Sequence, residues 1–118
     1  MNEGSTWEAA LFMAHHNLRN VIWFIDRNYL QGFGRTEDTM KMEPLDKKLE
    51  SFGFNVAIAD GHDFDSLRQV TASYSTDKPT AIICKTIKGK DLKLADTVDC
   101  HYLPLTEEDF LKFTTLPG

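Results

Sequence analysis

The run Val21-Ile22-Trp23-Phe24-Ile25 is apolar at every position and rich in β-branched and aromatic side chains. An unbroken stretch of this kind is expected of a strand covered on both faces, and such strands sit mostly in parallel sheets. It falls far short of the roughly 20 residues needed to cross a bilayer. Ahead of it, Ser5-Thr6-Trp7-Glu8 has the form of a capping box, and Trp7, Leu11, Ala14 and Leu18 recur behind it at helical spacing. After it, Pro44 opens a helix that carries Leu45, Leu49 and Phe52 inward and stops at Gly53. Residues 54–59 then read as a second strand. Phe64, Leu67, Val70 and Tyr74 share one helical stripe, and Thr80-Ala81-Ile82-Ile83-Cys84 reads as a third strand. A short helix begins at about Thr106, an N-cap followed by three acidic residues that suit the positive end of a helix dipole. This order predicts an α/β fold, an open parallel sheet with helices on both faces and right-handed crossovers. The first helix has no strand before it, so the chain reads as starting in mid-domain.

With 118 residues and 42% apolar content, the chain can bury one core and form one domain. A net charge of -5 argues against a general nucleic-acid surface, which needs clustered Lys and Arg. The polar, acidic start lacks the basic and apolar regions of a signal peptide, so neither membrane nor export is expected. Cys84 and Cys100 have neither metal-type nor CxxC spacing, which fits a reducing cytoplasm.

Ligands of open parallel sheets bind beyond the carboxyl ends of the strands. Here those ends are residues 26–30, 60–63 and 85–90. Residues 26–43 are polar, contain Gly32 and Gly34, and are long for a connection in a small domain, which marks a functional loop.

Several segments carry a resemblance. Asn2-Glu3-Gly4-Ser5-Thr6-Trp7-Glu8-Ala9-Ala10, Asn20, Ile25-Asp26-Arg27-Asn28 and Gly34-Arg35-Thr36-Glu37-Asp38 follow one another as in the transketolase family, whose two-subunit bacterial members they resemble most. The similarity continues through Glu43-Pro44-Leu45, Asp60-Gly61-His62-Asp63 and Lys85-Thr86-Ile87-Lys88-Gly89-Lys90, so it covers nearly the whole chain. In that family the early segments form the tail of the thiamine diphosphate motif, which opens with Gly-Asp-Gly-Glu and closes with an Asn. The resemblance implies that residues 1–118 are the C-terminal part of the diphosphate-binding domain, with thiamine diphosphate and Mg²⁺ (or Ca²⁺) as cofactors.

By the same resemblance, the Asn28 side chain and the Leu30 carbonyl are metal ligands, and Gly4, Asn28 and Leu30 are cofactor-binding positions. The chemistry is reasonable for a hard cation that takes oxygen donors and bridges to a diphosphate. Glu3, His62 and His101 are the candidate catalytic positions. Glu3 matches a carboxylate of the dimer interface near the aminopyrimidine, or is a solvent-exposed acid near a terminus. His62 matches an element close to the active-site cleft, or serves in a turn. His101 matches a histidine near substrate and diphosphate. An isolated Asp-x-Asn after a strand would otherwise be a plain turn. The implied reaction moves a two-carbon ketol unit between sugar phosphates, in an oligomer with a pyrimidine-binding subunit or section.

Three departures stand out. The Gly-Asp-Gly-Glu tetrapeptide is absent, Met1 aligning just after it; Gly32-Phe33-Gly34 stands where the family has Ile-Asp-Gly; and Asp91 replaces a Gly. Cys100 and Tyr102 also differ from the family pattern around its histidine. Even an indirect loss at a metal site costs roughly 10 to 100-fold, and a lost carboxylate ligand should cost more. The chain alone is therefore expected to be inactive as a transketolase. The alternative is a non-catalytic remnant or subunit fragment that binds a partner through an exposed sheet edge and helix face. A small nucleotide binder of another class has no support, because GxGxxG and Walker-type loops are lacking.

Overall fold

The computed structural model describes residues 1–73 and 77–114, with only the backbone of Phe113. Along the chain run α1 (Gly4–His15), β1 (Ile22–Arg27), β2 (Leu30–Gln31), β3 (Gly34–Arg35), α2 (Thr36–Thr39), α3 (Leu45–Phe52), β4 (Asn55–Asp60), α4 (Phe64–Ala72), β5 (Thr80–Lys85), α5 (Asp99–Tyr102) and α6 (Glu107–Thr114). β1, β5 and β4 form a parallel sheet in that order, with Ile22 and Asn55 both level with Thr80. The α/β fold with a parallel sheet is as the sequence predicts.

Successive strand residues point to opposite faces, and the core divides accordingly. Ala81 and Ile83 join Ile25, Phe54, Ala10, Leu45 and Leu49 beneath α1 and α3. Ile82, Cys84 and Ala59 lie on the other face, packed by Leu67 and Val70 of α4. Burial on both faces belongs to β5, whose residues 80–84 are all buried. For β1 the expectation is only half met, since Phe24 is 50% exposed. β5 is central and α4 packs mainly on β4, whereas β1 is an edge strand that meets α4 only at its margin, with a cleft between Phe24 and Leu67, Thr71 and Ala72.

Helix α1 begins at Gly4, and its N-cap is Glu3 in extended conformation without a side-chain bond, so the Ser5 capping box does not form. Trp7, Ala10, Met13 and Ala14 face the core, while Leu11 is 53% exposed and Leu18 lies past the helix end. The inward stripe is rotated from the predicted one because Ala10, not Leu11, fits beneath the sheet. Trp7 meets Phe52 edge-on, with ring centroids 5.7 Å apart. Helix α3 starts after Pro44 and ends at Gly53, whose φ of 104° is a left-handed cap that favours glycine. Asp63 caps α4 by accepting from the Asp65 N–H at 2.9 Å. Phe64 at its start is 83% exposed, Leu67 and Val70 carry the contact, and Tyr74 lies outside the described residues. Thr106 caps α6 as expected, accepting from the Asp109 N–H at 3.2 Å and donating to its carboxylate at 2.7 Å. Among the described residues no helix is long and apolar enough to cross a membrane.

Among the described residues one core side chain is unsatisfied. Thr80 is 1% exposed, and its hydroxyl has no hydrogen-bond partner. A buried hydroxyl without a partner costs free energy that an isosteric methyl does not. Thr80→Val is therefore expected to stabilise the fold by about 1 kcal/mol, read as a higher urea midpoint at unchanged m.

Candidate functional site

β1 delivers Arg27 to the interior, where it is 4% exposed. Its guanidinium donates to Glu43 Oε1 from Nε (2.9 Å) and Nη2 (2.7 Å), to Glu37 Oε1 from Nη2 (2.9 Å) and to Thr36 Oγ1 from Nη1 (2.8 Å). It also lies 4.1 Å from the centroid of the Tyr29 ring. Glu43 Oε2 accepts from the Leu45 N–H at 3.0 Å, so one carboxylate ties β1 to the first turn of α3. Desolvation pushes the Glu37 carboxyl up, but the N–H groups of Met42 and Glu43 together with Arg27 outweigh it and hold it below the usual carboxylate range.

This ionic anchor fixes the loop that follows. Asn28 Oδ1 accepts from the Leu30 N–H at 2.9 Å, an Asx turn, while Tyr29 takes a left-handed φ of 61°. The Thr36 N–H bonds the Tyr29 carbonyl at 2.9 Å, and Leu30 pairs with Arg35 to make the short β2–β3 hairpin. A cleft of about 120 Å³ opens here, lined among others by Asn2, Asp26, Asn28 and Leu30. Asn28 and Leu30, the predicted metal ligands, thus share one cleft at the carboxyl end of a strand. The Asn28 oxygen keeps one lone pair beyond its turn bond, and the Asp26 carboxylate accepts from the Thr86 hydroxyl. These oxygens suit part of the shell of a hard cation, which takes six or more. Among the described residues no group of three His, Cys, Asp or Glu side chains is placed to hold a metal; the oxygens that Asn28 and Leu30 offer are a side-chain amide and a backbone carbonyl.

The Asp26–Thr86 bond connects this cleft to a larger, open one of about 480 Å³ between the ends of β4 and β5, lined by Asp60, His62, Lys85, Thr86, Ile87 and Lys90. His62 Nε2 accepts from the Ile87 N–H at 2.8 Å, and the His62 N–H donates to Asp60 Oδ1 at 2.9 Å. The imidazole therefore pins one strand-end loop to the other. Gly61 makes this approach possible: its N–H bonds Lys85 O at 2.8 Å, and a Cβ there would run into the Thr86 methyl. Burial, and then the charge of Asp26, push the Cys84 thiol up, which makes it a poor nucleophile.

His101 is exposed on α5. A Cβ added to Gly32 would lie 3.7 Å from its Nε2, so the imidazole sits at the hairpin turn. Glu3 and Gly4 are exposed at the start of α1, where Gly4 has no atom within 4 Å of a built Cβ. The structure thus gathers Asn28 and Leu30 in one cleft, sets His62 in another and His101 at the hairpin turn. Arg27, Asp26, Arg35 and Tyr102 escaped the sequence reading as structural partners. Arg27 carries the one signal that was available, a charge at the end of an otherwise apolar run.

The sequence pattern described as "Transketolase, thiamine diphosphate binding domain" matches residues 1–116. The chain belongs to the transketolase family. Relatives of this transketolase-family chain include the 6-deoxy-6-sulfo-D-fructose transketolase subunit of Clostridium sp. (strain MSTE9), 36% identical over 110 residues, covering 91% of this chain and 40% of that protein. An apulose-4-phosphate transketolase subunit from Actinobacillus succinogenes is 39% identical over 97 residues, covering 81% and 35%. Transketolase from Leishmania mexicana superposes with a TM-score of 0.86 at 29% identity, over 95% of this chain and 18% of that one. This transketolase-family chain therefore spans 40% or less of these three proteins.

Proposed function

We propose that residues 1–118 form the C-terminal part of the diphosphate-binding domain of a thiamine diphosphate-dependent transketolase, transferring a two-carbon ketol unit between sugar phosphates. The observation that carries this reading is the Asn28–Leu30 cleft, where an Asx turn presents neutral oxygens at a strand end. When bound, the cofactor supplies the electron sink for the two-carbon unit. In this reading Asn28 and Leu30 hold Mg²⁺ or Ca²⁺ through oxygen. Gly4, with open space around it, lets a phosphate approach the backbone. Glu3 belongs to a subunit interface, and His62 and His101 border the substrate side.

The remaining cofactor contacts come from outside these residues. A pyrimidine-binding subunit or section supplies the carboxylate that activates the aminopyrimidine, in a homo- or hetero-oligomer. Support comes from the relatives named as subunits and from the edge position of β1 with Phe24 half exposed. Two free thiols, Cys84 and Cys100, suit a cytoplasmic setting.

Calorimetric titration of the chain with thiamine diphosphate and Mg²⁺ tests the half-site. Saturable binding is expected, weakened at least about tenfold by Asn28→Ala, with no ketol transfer by the chain alone. A folded chain that takes up no cofactor, or binds it equally well without the Asn28 amide, would overturn the assignment.

A further inference from the structure

Helix α5 spans only residues 99–102, too short to hold itself in place, yet it is docked against a hairpin far away in sequence. Two side-chain contacts tie this segment to the hairpin. The Tyr102 hydroxyl donates to the Gly32 carbonyl at 2.6 Å, across 70 residues of chain. Arg35, on β3, makes a two-pronged bond to Asp96, at 3.1 Å from Nη1 and 2.8 Å from Nη2. The bare backbone at position 32 lets the phenol approach this closely, because a Cβ there would stand 3.1 Å from the Tyr102 hydroxyl and push it back by a few tenths of an ångström. The missing side chain at 32 and the added phenol at 102 are thus complementary. His101 meets Tyr102 edge-on at 4.8 Å between ring centroids and is carried with it to the same turn.

We propose that Tyr102, Arg35 and Asp96 are positioning residues that latch residues 96–102 onto the hairpin and hold His101 over Gly32, two residues beyond Leu30. Its bearing on the reaction rests on the cofactor reading above; the latch itself does not. Both side chains of the ion pair are about half exposed, 48% for Arg35 and 47% for Asp96. Exposed pairs contribute little each and are screened by salt. The latch is therefore reversible, opening without unfolding the sheet.

Amide hydrogen exchange on the full chain provides the test. Tyr102→Phe and Arg35→Asp are each expected to speed exchange at residues 96–103 about fivefold or more, while β5 amides keep their parent rates. Adding Asp96→Arg to Arg35→Asp reverses both charges and should restore protection, which a general loss of packing would not. Unchanged exchange at 96–103 in both single variants, or a charge swap that restores nothing, would overturn the latch. Nuclear magnetic resonance of the His101 ring with thiamine diphosphate and Mg²⁺ then separates the two readings. Parent chain that binds cofactor should show a His101 response, lost in Tyr102→Phe while affinity persists. Cofactor binding without any His101 response overturns the positioning role; absence of binding overturns the cofactor reading and leaves the latch to be decided by exchange.

Discussion

Glu43→Ala is expected to destabilise the chain by about 3 kcal/mol, lowering its thermal midpoint by roughly 12 °C. Arg27 is almost wholly buried and draws two of its four bonds from Glu43 Oε1, so truncation leaves a desolvated cation short of charge. The same change removes the acceptor of the Leu45 N–H. Glu43→Gln keeps an oxygen in place without the charge and should cost only about a third as much. Because Arg27 immediately precedes Asn28, both variants should also loosen the Asx turn, read as faster exchange of the Leu30 amide. Acid acts on the same network. Glu37 has a depressed pKa, so its contribution is present above the ordinary carboxylate pKa of about 4.3 and lost as pH falls through its folded value. The stability advantage of the parent over Glu37→Gln should therefore shrink as pH falls below that ordinary value, measurable by urea unfolding at several pH values.

Gly61→Ala should destabilise by about 2 kcal/mol through overpacking. The added methyl collides with the Thr86 methyl and crowds Cys84 Cβ and Lys85 O, both at 3.1 Å. Backbone retreat is blocked by the Gly61 N–H bond to Lys85 O, and rotation of Thr86 by its bond to Asp26. Thr86→Ser removes the offending methyl but keeps the hydroxyl, so the double variant should recover part of the loss. A coupling energy near zero between the two sites would show that the methyl contact is not the cause.

Where a segment's fate depends on its own side chains, the sequence is legible. β5 is apolar and β-branched and becomes the central strand; α3 lies between Pro44 and Gly53, which mark its ends. The hairpin is different. Each of its strands has two residues, and its shape depends on Arg27 reaching Glu37 and Glu43, partners that no local pattern reveals. Helix α1 misleads because periodicity gives a stripe but not its rotation: Ala10 packs closest although Leu11 is more apolar. At the candidate site, the place of Asn28 and Leu30 follows from a strand end, which alternation of elements predicts. The Tyr102–Gly32 contact was invisible, since a glycine's lack of side chain acquires meaning only when its distant neighbour is known.

The strand order has a consequence for how the molecule assembles. Among the described residues β1 and β4 do not pair with each other; each pairs with β5, the last of the three to be synthesised. Among the described strands, neither pairing of this sheet can therefore form until residues 80–85 are available. Pairing with β4 closes 25 residues, from Asn55 to Thr80, and pairing with β1 closes 58, from Ile22 to Thr80. The longer closure costs about 0.7 kcal/mol more in chain entropy. Of the three described strands, β4 and β5 with α4 between them should come together first and β1, bearing Asn28 at its end, should join afterwards, so the candidate cofactor cleft takes shape only after that unit has formed.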